Sequence, residues 1–462
     1  MPHQKDNNIA NRPILRRLSG TLLLTFLLGL LGTLVSACGG GGGTADGLDF
    51  GLIRSINAVS DSPTVSFTVD NSNLGTAQFG QATPFLSIQE GSYDISAGFA
   101  NLADDLVTLL NDEEVRVEIE GQLTLVLAGT VANPVSFVIE ETTDEAPTDS
   151  TELRLLNTAA AGSLDLYVTG VGAPLDTPIL SAANNSASLA ANVPAGDSQI
   201  RITTAGSDAV IFDSGSFVLP AGQRLVLHAA PYFGPGDNPV NLNLISTAST
   251  SSFPQQQLPA SVRVANAISD LPAVDAVIQN NATTSTVESL SINTFSSAID
   301  LAPGSAVIDI TLETDPGTVL LSSTAELAGG DRRTLIATGS FSDDSTTGRL
   351  AIDPQRPIAS SAQINFMNGS ASAGSVDVYL LSAGETIVTN TANVPSLALL
   401  ANSNIELLGG TYELVFTRAG EDNELAGPIS ITVANNELFS FLLTDAEGGG
   451  EPPQIIEGPA FE

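Results

Sequence analysis

Short stretches of this chain alternate apolar and polar residues with a period of two. In Leu164-Asp165-Leu166-Tyr167-Val168, the first, third and fifth side chains are apolar. Successive side chains of a β-strand point to opposite faces of the sheet. The three apolar residues are therefore predicted to face a core, with Asp165 and Tyr167 on the other face. The same alternation recurs at residues 65–69, 274–278 and 376–380.

Each alternating strand follows an asparagine, and these asparagines are regularly spaced. Asn57, Asn157, Asn266 and Asn368 lie 100, 109 and 102 positions apart. Glycine-containing turns recur about every 8 to 12 residues within each unit, a spacing typical of two-sheet sandwiches. The pattern predicts an all-β chain of four tandem antiparallel β-sandwich domains of the immunoglobulin-like type, each with its own core.

Polar, acidic or proline-containing segments separate the four units. The predicted sandwiches occupy residues 51–140, 152–245, 260–352 and 361–445. We interpret residues 140–149, 246–259 and 353–357 as linkers. Residues 446–462, rich in Gly and Pro, are predicted to form a disordered tail. Strung end to end, four such domains would extend about 140 Å.

The N-terminal segment has the three parts of an export signal. Four basic residues precede an apolar stretch at residues 21–34, and the small residues Ser36 and Ala37 come directly before Cys38. This arrangement resembles the signal of bacterial lipoproteins, in which the cysteine is acylated and becomes the first residue after cleavage. Residues 1–37 are therefore predicted to be a signal peptide. Cys38 is predicted to be lipidated, and residues 38–50 form a Gly-rich tether.

Two other interpretations of this segment are an ordinary secretory signal and an uncleaved transmembrane anchor. The apolar stretch at 21–34 is shorter than the roughly 20 residues that a spanning helix needs. Acyl chains on Cys38 would make the membrane a partner, since two or three chains give a stable anchor. Gly39, not Asp, follows the cysteine. By resemblance to Gram-negative lipoproteins, this favours the outer membrane.

Composition narrows the classes of partner. The chain has 51 acidic and 15 basic residues, with a formal net charge of −36. Such a polyanion repels nucleic acid, so no nucleic-acid partner is expected. The hydrophobic content of 42% is nevertheless sufficient for buried cores. Because Cys38 is the only cysteine, no disulfide can form within the chain.

A motif links the repeats to a known family. Arg263-Val264-Ala265-Asn266 is followed by Asp270-Leu271-Pro272 and then by Val274-Asp275. This pattern resembles a bacterial family of tandem extracytoplasmic domains of unknown function, DUF4397. The resemblance covers roughly residues 52–445 and implies an immunoglobulin-like or transthyretin-like sandwich. It implies no established activity.

Catalytic chemistry has little support in the sequence. His228 is the only histidine after the signal segment, so a Ser-His-Asp arrangement would have to use it. Gly196-Asp197-Ser198 resembles a block of one esterase class, but it occupies the turn that precedes a strand in every unit. Carboxylate pairs for glycoside hydrolysis are uninformative because carboxylates are abundant. No catalytic residue is predicted, and the chain is not expected to be an enzyme.

Metal and ligand sites have only weak signals, and no metal site or cofactor is predicted. Asp343-Asp344, residues 421–424 and Asp144-Glu145 offer oxygen ligands for calcium, but no Asp-x-Asp-x-Asp-Gly loop is present. Solvated acidic surface is the favoured interpretation. The repeated acidic and tyrosine residues could form a ligand patch, although a structural role is favoured. They are Asp165, Asp275, Asp377, Tyr167 and Tyr379. Without tryptophan, the sequence also offers a poor platform for stacked sugars.

The sequence predicts a lipid-anchored protein of the cell envelope that acts as a non-catalytic spacer, adhesion or surface stalk. The alternative is a ligand-binding module that recognises a glycan or an envelope protein through loops at the ends of the sandwiches. Neither the partner nor the oligomeric state follows from the sequence.

Overall fold

The computed structural model describes residues 49–144, 146–253, 258–281 and 283–459. The predicted signal peptide, Cys38 as the predicted lipidation site and most of the predicted tether lie outside the described residues. Within the described ranges, the regular secondary structure consists of β-strands and one 3₁₀ turn, Ile387–Thr389. The prediction of an all-β chain of tandem sandwich domains is confirmed. The described ranges contain no helix that is long and apolar enough to cross a membrane.

The first two sandwiches are numbered here by strand in chain order. The strands of the first sandwich are β1 Phe50–Val59, β2 Val65–Val69, β3 Ser72–Ala77, β4 Gln81–Ala82, β5 Leu86–Gln89, β6 Gly91–Ala100, β7 Leu106–Val117, β8 Gly121–Thr130 and β9 Asn133–Thr142. Those of the second are β10 Ser150–Asn157, β11 Leu164–Thr169, β12 Leu180–Ala182, β13 Ser186–Ala187, β14 Ala191–Pro194, β15 Gly196–Thr204, β16 Val210–Leu219, β17 Gln223–Pro231, β18 Val240–Ile245 and β19 Thr250–Ser252.

The third and fourth sandwiches follow the same plan. The strands of the third are β20 Ala260–Ile268, β21 Ala273–Asn280, β22 Thr283–Ser291, β23 Thr294–Phe295, β24 Ile299–Leu301, β25 Gly304–Leu312, β26 Asp315–Leu327, β27 Arg332–Gly339 and β28 Thr347–Ile352. Those of the fourth are β29 Ala362–Asn368, β30 Val376–Leu381, β31 Val394–Leu397, β32 Asn402–Leu407, β33 Gly410–Arg418, β34 Glu424–Val433, β35 Leu438–Thr444 and β36 Gln454–Gly458.

Each sandwich has an inner sheet, defined as the one that contains its first strand, and an outer sheet. In the first sandwich the inner sheet has the order β4-β1-β8-β9, with β5 also paired to β1, and the outer sheet has the order β3-β2-β6-β7. The outer sheets of the other sandwiches are β12-β11-β15-β16, β22-β21-β25-β26 and β31-β30-β33-β34. The space between the two sheets of each sandwich is filled by its own apolar cluster.

The sheets are rich in antiparallel pairs, as predicted, but each inner sheet also contains one parallel pair that the sequence analysis did not predict. The first strand of each unit pairs in parallel with a strand late in the same unit: β1 with β8, β10 with β17, β20 with β27 and β29 with β35. Parallel neighbours need a long crossover between them. Here the strands of the outer sheet supply that crossover, so the late strand returns beside the first in the same direction.

Inner sheets pack against each other in two pairs of sandwiches, the first with the second and the third with the fourth. Ile56, Ala58 and Val126 of the first sandwich join Leu156 and Val226 of the second in one buried apolar cluster. A corresponding cluster joins the third and fourth sandwiches. Its buried members are Ala265, Ala267, Ile336, Ala351, Met367 and Leu442. Neighbouring sandwiches therefore form pairs with a shared interface, in contrast to the end-to-end string considered from the sequence.

The segments interpreted as linkers and tail contain regular structure. β9 extends through Glu140 to Thr142, and β19 lies within the second predicted linker. The predicted disordered tail contains β36, which pairs antiparallel with β35 and completes an inner sheet. That expectation is corrected, since Ile455 and Ile456 pack on buried clusters of the fourth sandwich and of its interface with the third. Because glycines and prolines flank β36, the sequence pattern did not indicate this short strand.

Candidate functional site

The repeated asparagines bind the backbone of their own sandwich. Asn57, Asn157, Asn266 and Asn368 are all fully buried. Each Oδ1 accepts a hydrogen bond from the backbone N–H two residues later, at 3.0–3.2 Å. Each Nδ2 donates to a carbonyl of an edge strand in the outer sheet, at 2.9–3.2 Å. The asparagine of the motif is therefore a structural clamp between the two sheets, and it is not open to a ligand.

The aspartate of the Asp-x-Pro turn holds a hairpin. Asp270 accepts hydrogen bonds from the backbone N–H groups of Phe341 and Ser342 at 2.8 Å each, and from the Ser340 hydroxyl at 2.9 Å. Burial acts to raise the pKa of Asp270, but these hydrogen bonds to its charged form outweigh burial and lower the pKa to about 2. In the first sandwich, Asp61 accepts in the same way from the N–H of Val131.

The repeated outer-sheet aspartates also bind backbone groups. Asp377 accepts from the N–H groups of Ser396 and Gly420 at 2.6 and 2.8 Å. Asp165 accepts from the N–H of Gly206, and Asp275 from the N–H of Ser289. The two tyrosines that follow Asp165 and Asp377 in sequence are buried: Tyr167 is 5% exposed and Tyr379 6% exposed. These residues do not form an exposed ligand patch.

The motif arginine points away from its own core and contacts the neighbouring sandwich. Arg54 and Asn57 are three residues apart, so they face opposite sides of β1. Arg54 donates from Nη1 to the carbonyl of Ser246 in the second sandwich, at 2.7 Å. In return, Arg154 donates from Nε to Glu141 of the first sandwich, at 3.0 Å. The two motif arginines therefore bridge the same interface from opposite sides.

The interface between the third and fourth sandwiches repeats this arrangement with a more buried charge. Arg263 donates from Nη2 to Asp353 at 3.1 Å and to the hydroxyl of Ser440 at 2.9 Å. Asn365, which occupies the arginine position in the fourth sandwich, donates to the same Asp353 oxygen at 3.0 Å. Asp353 also accepts from Thr334 at 2.7 Å. One carboxylate thus receives donors from both sandwiches.

His228 and Ser198 do not form a catalytic pair. Ser198 lies on β15, two and four residues before Ile200 and Ile202. Its side chain is therefore on the same face of the strand as theirs, which line the core of the second sandwich. His228 has the parity of Val226, which lies in the interface with the first sandwich. Ser198 of the outer sheet therefore faces the core, whereas His228 is on the face of the inner sheet that points away from this core. The nearest hydrogen-bonding group to His228 is the hydroxyl of Thr158, 2.8 Å from Nε2.

The acidic segments considered for calcium remain separate. Asp343 accepts from the N–H of Ser345 two residues later, which is a local turn contact. Glu145 of the third candidate lies outside the described residues. Across the described ranges, no three His, Cys, Asp or Glu side chains are grouped so that they could hold a metal ion.

One crevice was not predicted from the sequence. It has a volume of about 390 Å³ and lies where the first three sandwiches meet the segment 353–357. Its walls include Phe79, Tyr232 and Phe233, together with Gln355 and Arg356. Only 5% of the residues in this chain are aromatic. The adjacent aromatic residues Tyr232 and Phe233, next to a Gly/Pro-rich turn, were therefore the sequence feature that could have indicated the crevice.

Comparison with known proteins identifies the family. The profile of a family described as "Domain of unknown function (DUF4397)" matches residues 51–167 and 260–379, just over half of the chain. The chain belongs to the DUF4397 family. No curated protein matches the sequence.

Two of the solved structures that match this chain have low sequence identity to it. The Bacillus anthracis TIE protein is 11% identical, with a TM-score of 0.16, over 87% of this chain and 75% of that one. A leucine-rich repeat protein from Bacteroides thetaiotaomicron is 13% identical, with a TM-score of 0.13, over 39% of this chain and 26% of that one.

The two DUF4397 matches cover corresponding parts of the fold. Each begins at the strand that carries the motif arginine and asparagine, β1 or β20. Each continues into the first outer strand of the next sandwich, ending at Tyr167 or Tyr379. The matched stretches therefore include the motif residues on both sides of a paired interface.

Proposed function

We propose that this DUF4397 protein is a lipid-anchored, non-catalytic component of the cell envelope that acts as a spacer or adhesion structure. The observation that supports the proposal best is the coupling of neighbouring sandwiches. Apolar clusters and buried arginine contacts join the first sandwich to the second and the third to the fourth. A spacer needs such coupling, because freely hinged domains do not maintain a distance.

The distribution of positive charge supports the same role. After residue 37 the chain has eleven arginines and no lysine. Arg54, Arg154 and Arg263 are used at the paired interfaces, and Arg356 donates to the carbonyls of Ser60 and Ser62 at 3.0 and 2.9 Å. The rest of the surface has many more carboxylates than arginines, so anionic headgroups and other copies of the chain repel it. The sandwiches would then project from the membrane instead of lying on it.

The proposed anchor is Cys38, and the proposed location is the outer membrane. Replacing Cys38 with Ser is expected to abolish incorporation of labelled palmitate and to remove the protein from detergent-extracted lipoprotein fractions. The physical reason is that two or three acyl chains supply stable membrane binding and a serine at this position accepts none. Membrane fractionation with palmitate labelling is the measurement. The substitution Thr44→Ala, six residues beyond the cysteine, is the matched control and should change nothing. Palmitate labelling that persists in the Cys38→Ser variant would contradict the anchor.

A second candidate function is recognition of a glycan or protein through loops at the sandwich ends. The crevice beside Phe79, Tyr232 and Phe233 is the observation that favours it, because these residues lie in such loops. Clefts at domain junctions are common places for ligand sites.

A further inference from the structure

The crevice has an aromatic wall contributed by two sandwiches. Phe79 of the first and Phe233 of the second meet edge to face, with ring centroids 6.2 Å apart and planes at 70°. Tyr232 lies beside them and donates from its hydroxyl to the carbonyl of Pro235 at 3.1 Å. All three rings are half-buried. The guanidinium of Arg356 lies over the ring of Phe79, 5.1 Å from its centroid, and all three rings line the crevice.

A glycine of the third sandwich allows Tyr232 to approach. Gly330 has a φ of +91°, and a Cβ at this position would lie 3.2 Å from the Tyr232 hydroxyl. A larger residue would be strained in this backbone conformation and would displace the tyrosine. The third sandwich therefore closes one side of the crevice without filling it.

The polar groups of the crevice are fixed in position but have unused hydrogen-bonding capacity. Gln355 donates from Nε2 to the carbonyl of Gly330 at 2.7 Å, and Arg356 is held by its two carbonyl contacts to the first sandwich. Among the described residues, no hydrogen-bond partner is found for Oε1 of Gln355, for Nε and Nη2 of Arg356 or for the side-chain amide of Asn241. These planar groups line the crevice together with the aromatic rings.

The charge balance of the crevice limits its ligand. Asp331 and Arg356 both line it; Asp331 is paired with Arg333 at 3.0 Å, and the carboxylates of Glu406 and Asp61 act on Arg356. The crevice thus has no strong net charge of its own, whereas the chain as a whole has a formal net charge of −36. That field repels acidic ligands at long range. A neutral ligand with many hydroxyl groups suffers no such repulsion.

We propose that this crevice binds a neutral pyranose residue of an oligosaccharide. A pyranose presents an apolar C–H face, which suits aromatic rings, and a rim of hydroxyls, which suits planar amide and guanidinium groups. Both kinds of group line the crevice: the aromatic wall of Phe79, Tyr232 and Phe233, and the polar side chains of Asn241, Gln355 and Arg356. This inference goes beyond the proposed anchoring and spacing role, and it rests on the second candidate function, recognition through loops at the sandwich ends.

The test is calorimetric titration of the purified mature protein with neutral hexasaccharides of glucose, mannose and N-acetylglucosamine. We expect saturable binding of at least one, with a dissociation constant of about 10⁻⁵ to 10⁻³ M. Phe233→Ala and, separately, Asn241→Ala should each weaken it about tenfold. Because Phe233 also packs on Phe79, the half-buried Asn241 provides a second variant that leaves this ring contact intact. The matched control is Phe341→Ala, a 42% exposed ring at the opposite end of β27.

Three results would overturn the proposal. The first is the absence of binding to every neutral oligosaccharide. The second is binding that neither Phe233→Ala nor Asn241→Ala weakens. The third is crevice-dependent binding of a proline-rich decapeptide with no binding of any sugar, which would assign the aromatic wall to a protein partner. None of these outcomes bears on membrane anchoring, which Cys38→Ser tests separately.

Discussion

Replacing Arg263 with Met is expected to lower the free energy of unfolding by about 3–5 kcal/mol, because it leaves a buried carboxylate without its cation. The side chains of Arg263 and Asp353 are 2% and 1% exposed. Burial lowers the pKa of Arg263 and raises the pKa of Asp353, so the interior disfavours both charges and their pairing offsets this only partly. Arg263 also donates to Ser440 and to the carbonyl of Pro459, both in the inner sheet of the fourth sandwich or next to it.

Denaturant titration followed by far-UV circular dichroism measures this loss. The double variant Arg263→Met with Asp353→Asn should recover a large part of it, since no uncompensated charge remains. Arg116→Met is the matched control: Arg116 forms exposed ion pairs with Glu90 and Glu118 and should have almost no effect. Equal losses in the single and double variants would show that the buried charge is not the cause.

Acidification is expected to destabilise the second sandwich through His228. This residue is fully buried, and burial lowers its pKa to about 4 from an ordinary value of 6.5. Between these two values the unfolded chain binds a proton that the folded chain does not. The free energy of unfolding therefore falls by about 3 kcal/mol in total as the pH drops from 6.5 to 4. Below pH 4 the contribution of His228 does not change further. Above pH 6.5 neither state is protonated, and the penalty vanishes.

The structural reason is that a protonated His228 would gain no compensating partner. Its Nε2 already meets the Thr158 hydroxyl, and Nδ1 has no hydrogen-bond partner among the described residues. Replacing His228 with Gln should remove this part of the pH dependence, while the many carboxylates titrate as before. The measurement is the free energy of unfolding at pH 7 and at pH 4 in both proteins. A wild-type pH dependence no steeper than that of His228→Gln would refute this role.

The strands and the domain repeat were predictable because alternation of apolar and polar residues reports which face of a strand is buried. Leu164 and Leu166 enter the core as predicted, and the outer-sheet aspartates bind backbone as the favoured interpretation had it. The spacing of Asn57, Asn157, Asn266 and Asn368 reflects one physical requirement, a buried amide that clamps two sheets. Such local and repeated constraints can be recognised in a single sequence.

The pairing of sandwiches was not predicted, because contacts between units produce a weaker pattern in the sequence than contacts within a unit. The signal was present: Ile53 faces the core of the first sandwich while Ile56 and Ala58 face the second, so β1 is apolar on both faces. Strands that are buried on both sides read as continuous apolar runs. The crevice was missed for a related reason, since Phe79 and Tyr232 are far apart in sequence and meet only after the sandwiches associate.

The central claim, that neighbouring sandwiches are held as fixed pairs, is tested most directly by distances between spin labels. Nitroxides would be attached to cysteines at the exposed positions Thr76 and Ser216 in the first pair, and at Thr324 and Thr432 in the second. Pulsed electron paramagnetic resonance should give one narrow distance distribution for each pair. Broad distributions, as expected for domains that move independently on flexible linkers, would contradict the account.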